Sequence, residues 1–140
     1  MRGIALDHIT RYDRMPIPPA EDHTTYIDAG VIRIGVEYRI LTCDLVATMR
    51  PTLQSAFGED EGKLVELDDF GVSLHVFAGP RGQQKEYLRF DCFNEDPHYH
   101  YVDWNKNSNE MLHIDSIADG DSLAWALERI STRLPQMLER

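Results

Sequence analysis

Ile32, Ile34, Val36, Tyr38 and Ile40 alternate with Arg33, Gly35, Glu37 and Arg39, a period of two running through residues 31–41. Only a strand turns that pattern into one apolar and one polar face, because successive side chains point to opposite sides of a sheet. A chain with this segment has to build a sheet and then cover its apolar side.

The remaining sequence supplies the other layers. Val72, Leu74, Val76 and Ala78 alternate with Ser73, His75 and Phe77 until Gly79-Pro80-Arg81-Gly82 breaks the run. Further strands are predicted at 64–67, 86–93, 98–104 and 111–115, and the short loops between them predict an antiparallel meander. Asp103, near a strand end, is expected to cap the turn that follows. Leu45, Met49, Leu53 and Phe57 recur at helical spacing behind Asp44, with Pro51 marking a kink or the first turn of a shorter helix. At the C-terminal end, Asp119 or Asp121 caps a helix whose apolar stripe is Leu123, Leu127, Ile130, Leu134 and Met137 or Leu138. Pro135 is expected to kink or restart its last turn.

The expected fold is therefore α+β: an antiparallel meander of five or six strands, with the C-terminal helix and the helix near 44–57 packed on one face. A chain of 140 residues that is 42% hydrophobic is the size of one domain, taken as residues 1–140. Residues 1–25 are expected to be an irregular arm, since the prolines of Met15-Pro16-Ile17-Pro18-Pro19 lack N–H donors and favour extended backbone.

Charge and cysteine content narrow the function classes. With 24 acidic against 14 basic side chains, a net charge of −10 repels phosphate backbones, so bulk nucleic-acid binding is not expected. No apolar run is long enough for a membrane span or a secretion signal, which predicts a cytoplasmic protein with no membrane partner. Cys43 and Cys92 have no Cys-x-x-Cys spacing and are expected to be reduced, mostly buried thiols.

The chemistry concentrates in residues 87–104. With Asn94-Glu95-Asp96-Pro97 as a four-residue loop, Phe93 faces His98, and Arg89, Asp91 and Phe93 share a face with His98, His100 and Trp104. The same parity sends His75, His113 and Asp115 to that polar side, while Leu88, Phe90, Cys92, Tyr99 and Tyr101 face the core. Two histidines at i and i+2 on a strand present neighbouring rings that can reach one ion, and a facing carboxylate can serve as a third ligand. The candidate metal ligands are thus Asp91, His98, His100 and His113, for a divalent, zinc-like transition metal supporting hydrolysis of a small or phosphorylated substrate. Arg89, Asp91 and His100 are the candidate catalytic groups, and His75, Phe93, Trp104 and Asp115 the expected pocket walls. Without a metal, the same set suits general acid–base chemistry. A third expectation is a non-enzymatic interaction module, its partner a protein docked on the open sheet face or on the Pro-rich arm. A homodimer is expected on general grounds.

Arg89-Phe90-Asp91 followed by Pro97-His98-Tyr99-His100-Tyr101, then a strand and a closing helix, resembles the layout of small toxins from prokaryotic toxin–antitoxin pairs. The resemblance covers about a third of the chain and carries over only Arg89, Asp91, Pro97, His98 and His100. Where that family has further histidines before the proline, this chain has Cys92-Phe93-Asn94-Glu95-Asp96. The resemblance implies a ribonuclease that acts without metal.

Overall fold

The computed structural model describes residues 9–41 and 69–140. Its strands are β1 (Ile9–Tyr12), β2 (Thr24–Ala29), β3 (Ile32–Leu41), β4 (Asp69–Ala78), β5 (Lys85–Phe93), β6 (His98–Asp103) and β7 (Ser108–His113). A short helix α1 (Ser116–Asp119) and a long one α2 (Ser122–Glu139) follow. The seven strands form one antiparallel sheet in the order β1-β7-β6-β5-β4-β3-β2, so the fold is α+β with a C-terminal helix, as expected.

The strand count corrects the expectation of five or six. Both additional strands lie in or beside the segment expected to be irregular. β2 is weakly apolar and hard to read in sequence, but Gly30 (φ 69°) closes a two-residue turn that lays Ala29 against Ile32. β1 leaves the meander and pairs with β7 at the far edge. The helix expected near 44–57 and the strand expected at 64–67 lie outside the described residues, as do His8 and Cys43.

The apolar layer sits between β3–β6 and α2. Leu74, Val76, Leu88, Phe90 and Cys92 pack against Ala126 and Leu134, with Leu123, Ile130, Met137 and Leu138 around them. Leu127 departs from the predicted stripe: it is 50% exposed, and fully buried Ala126 holds the contact instead. Asp121 caps α2 by accepting from Ala124 N at 2.9 Å. The helix continues through Pro135 to Glu139, so its last turn does not restart there. The exposed Pro135 still removes one backbone donor. Pro135→Ala is expected to raise stability by about 1–3 kcal/mol, read as a higher urea midpoint.

The central hairpin has a different register from the one predicted, yet the same faces. Asp91 pairs with His98 and Arg89 with His100, two residues out from the expected alignment, so that Cys92 and Phe93 pair with β4 alone and the connection to β6 spans residues 92–97. A shift of two conserves side-chain parity, whereas a shift of one would have turned the core outward. Asp103 caps the β6–β7 turn as predicted, accepting from Lys106 N at 3.1 Å.

The polar side of the sheet is not open. Glu37, Arg39, Ser73, His75, Glu86, Arg89, Asp91, His100 and Asn109 are all buried. Residues 13–20 cross this face from β7 to β3 as a strap. Arg14 O accepts from Asn109 Nδ2 at 2.7 Å, Pro18 O accepts from Arg39 Nη2 at 3.1 Å, and Ala20 N donates to Glu37 at 3.2 Å. Proline suits such a strap, because a residue without an N–H leaves no unmet donor over the polar layer.

Candidate metal centre

Pairing of β5 with β6 brings Asp91, His98 and His100 together, and β4 adds Ser73 opposite Asp91. Asp91 Oδ2 lies 3.0 Å from His98 Nε2 and 3.2 Å from His100 Nε2. Its other oxygen accepts from Ser73 Oγ at 2.6 Å, which fixes the carboxylate plane. One ligand atom from each of the three residues lies within 4.8 Å of the other two. In a tetrahedral zinc site with bonds of about 2.0–2.2 Å, neighbouring ligand atoms stand roughly 3.3 Å apart. The two spacings from Asp91 Oδ2 to the histidine nitrogens, 3.0 and 3.2 Å, are within a few tenths of an ångström of that.

The outer nitrogens are the informative ones. His98 Nδ1 is 2.8 Å from Asp96 O, a carbonyl that can only accept, so Nδ1 carries the proton. His100 Nδ1 is 3.0 Å from Asn109 Oδ1, and the Asn109 amide is oriented by its own donation to Arg14 O. His100 Nδ1 is therefore also a donor. Each ring, if neutral, must then aim the bare lone pair of Nε2 at the same carboxylate oxygen, which is repulsive unless a proton or a cation lies between.

Protonation does not resolve this evenly. Burial depresses His98, but the Asp91 carboxylate outweighs it and raises the pKa. At His100 burial lowers the pKa, and the positive neighbours His98 and Arg89 add to it against the pull of Asp91. Asp91 is penalised by burial but held well below the usual carboxylate range by its two histidine contacts. His100 thus tends to neutrality where its two neighbours both demand a donor.

A second buried cluster adjoins the trio. His75 Nε2 is 2.7 Å from Glu37 Oε1, and Nδ1 contacts Glu86 Oε2. Two carboxylates can only accept, so His75 sits as an imidazolium; its pKa is depressed by burial and raised overall by both glutamates. Arg89 donates to Glu86 from Nε and Nη2, at 3.1 and 2.6 Å, and Arg39 holds Glu37 in the same way at 3.1 and 3.0 Å. Glu86 reaches this side because the β4–β5 register slips between Val76 and Phe77, leaving Tyr87 unpaired and turning Glu86 toward Phe77.

Several sequence-based assignments change accordingly. Arg89, expected among the catalytic groups, lies on the expected face but is buried and committed to Glu86. His75 belongs to the glutamate cluster. His113 stands across from His98 but gives Nδ1 to Asp96 at 2.8 Å in an exposed position, and it is not in the trio. Phe93 does wall the site, edge-on to His98 at 5.6 Å. Asp115 caps α1 through Ile117 N and Ala118 N, away from the histidines. Trp104 falls beyond the end of β6, where its indole donates to Glu86 O. Cys92 is a free, buried thiol whose pKa burial pushes up to about 12.

Glu37, Glu86, Asn109 and Ser73 were absent from the sequence-based site. Glu37 was legible, since it lies on the polar period of 31–41, and so was Ser73 on its own strand. Glu86 was not, because its parity in sequence is that of the core.

Residues 26–140 match a family described as "Domain of unknown function (DUF7700)". No curated protein and no solved structure matches the chain. The matched span contains the trio and its partners Asn109 and Ser73, while the strap precedes it. No helix among the described residues is long and apolar enough to cross a membrane.

Proposed function

We propose, for a chain that belongs to the DUF7700 family, that Asp91, His98 and His100 bind a divalent transition metal with zinc-like preferences and that this ion is the working centre of the protein. The observation that carries the reading is the pair of Nδ1–H donors, which leave both Nε2 atoms facing one carboxylate oxygen. Metal-binding histidines characteristically hand their second nitrogen to a carbonyl or amide oxygen in this way. Three protein ligands would leave a fourth position for water or substrate, and an ion held by them would supply the acidity that activates a water near neutral pH. Hydrolysis of a small or phosphorylated substrate is the activity such a centre supports.

Elemental analysis of untagged protein tests the metal directly. About one zinc-like ion per chain is expected, with a metal-dependent rise in melting temperature that His98→Ala/His100→Ala abolishes. Protein that holds no ion after exposure to zinc, cobalt or manganese would refute the reading. Asn109→Ala is expected to weaken metal affinity about 10–100-fold, because it removes the acceptor that orients His100. Competition with a chromogenic chelator measures that change.

A second reading rests on the same carboxylate contact. Two histidines sharing Asp91 can act as an acid–base pair without metal, as the toxin resemblance implies. Arg89 would enter that mechanism with two of its three donor nitrogens, Nε and Nη2, already held by Glu86. RNA cleavage that persists in chelator, and is lost in His100→Ala, would favour this second reading.

A further inference from the structure

Trp104 walls a cavity of about 330 Å³ at the end of the β6–β7 hairpin, beside the end of α2. Tyr87, Tyr101 and Trp104 line it, together with Arg11, Lys106 and Arg140.

Each aromatic ring is placed by a separate device. Tyr87 is the residue left unpaired by the β4–β5 slip. Tyr101 follows the core parity of Leu88, its partner across the β5–β6 pairing. Trp104 is 40% exposed, yet its indole N–H is fixed on Glu86 O at 2.8 Å. An exposed indole held in one orientation offers an apolar surface to a ligand at little entropic cost.

The cations are equally local. Arg140 stacks 4.2 Å from the Tyr101 ring centre, and Lys85 lies 5.1 Å from that of Trp104. Of the nearby carboxylates, Glu110 is engaged by Arg140 at 2.8 Å, Asp13 stands 3.6 Å from Arg11, and Asp103 is occupied by the backbone of its own turn. In a chain of net charge −10, basic groups gathered around a concave aromatic surface run against the overall field.

We propose that this cavity binds a small planar organic anion, an aromatic ring carrying a carboxylate or phosphate. The ring lies among Tyr87, Tyr101 and Trp104, and the anionic group meets Lys106 with Arg11 or Arg140. A space at the lower end of the range for ligand pockets suits one or two rings. The groups assigned to the ligand here, Tyr87, Tyr101, Trp104, Lys106, Arg11 and Arg140, are none of the three proposed metal ligands.

Isothermal titration of the full chain with phenyl phosphate, inorganic phosphate and phenol tests it. Phenyl phosphate is expected to bind at least tenfold more tightly than either fragment. Lys106→Glu, a change at an exposed turn residue that should leave the melting temperature unaltered, is expected to weaken binding by tenfold or more, and Trp104→Leu to do the same. No binding of phenyl phosphate at millimolar concentration would overturn the proposal. So would equal binding of phenyl phosphate and either fragment, or binding indifferent to Lys106→Glu.

Discussion

Glu37→Ala is expected to destabilise the protein by about 3–5 kcal/mol, the cost typical of removing one partner from a buried ionic network. Glu37 is 1% exposed and holds His75, Arg39 and the Ala20 amide of the strap together. Deleting it leaves an imidazolium short of one carboxylate and a guanidinium with little but a carbonyl. A urea titration should show a lower midpoint at an unchanged slope. Glu21→Ala is the control, since its carboxylate accepts from the Tyr26 hydroxyl at the surface, and a change of about 0–1 kcal/mol is expected.

The same network sets the pH response. Burial pushes Glu37 up, but His75 and Arg39 hold it down at about 2, against an ordinary 4.5. Its stabilisation is present above 4.5 and lost as pH falls toward 2. Asp91, also depressed, acts in the same direction. His75 is raised above its ordinary 6.5, so its stabilisation is complete below 6.5 and fades as pH climbs through the folded value. Melting temperature plotted against pH should therefore be highest between about 4.5 and 6.5. Glu37→Ala should flatten both flanks. A wild-type maximum above pH 8 would contradict the imidazolium assignment.

Gly71→Ala is the second large effect. Gly71 has φ 154°, and a Cβ built on it would lie 2.2 Å from the Cys92 carbonyl oxygen. The obstacle is backbone of the paired strand and cannot swing aside as a side chain would. Strain of about 1–3 kcal/mol for the dihedral and a similar amount for overpacking predict a loss of about 2–5 kcal/mol. The neighbouring Asp69 holds the Glu95 and Asp96 amides, so damage at this end of β4 should also disturb the carbonyl that orients His98. Chemical denaturation measures the first effect and metal affinity the second.

How far the sequence revealed this molecule follows from which interactions depend on parity alone. The alternation in 31–41 and 71–78 and the caps at Asp103 and Asp121 are local, and each was readable. The trio was found despite a wrong register because a two-residue slip keeps His98 and His100 on the Asp91 side. His113, Asp115 and Trp104 were misplaced because strand ends and loops, not parity, decide what they touch. Glu86 was missed for a different reason: a bulge is an inserted residue with no mark in the hydrophobic pattern. The covering of the polar face could not be read either, since nothing local to Arg14 or Pro18 says that its carbonyl meets Asn109 or Arg39.

That strap has a kinetic meaning. The strands from β2 to β7 join neighbours in sequence, except that the β3–β4 link is longer, whereas Arg14 meets Asn109 across 95 residues. Pairings that close short loops form early, and the distant one closes last. By the same token it opens first, as a sub-global excursion well below the cost of global unfolding. The ring of His100 would lose its tether in that excursion while the layer beneath α2 stayed intact, so exchange of an ion with solvent need not wait for the domain to come apart.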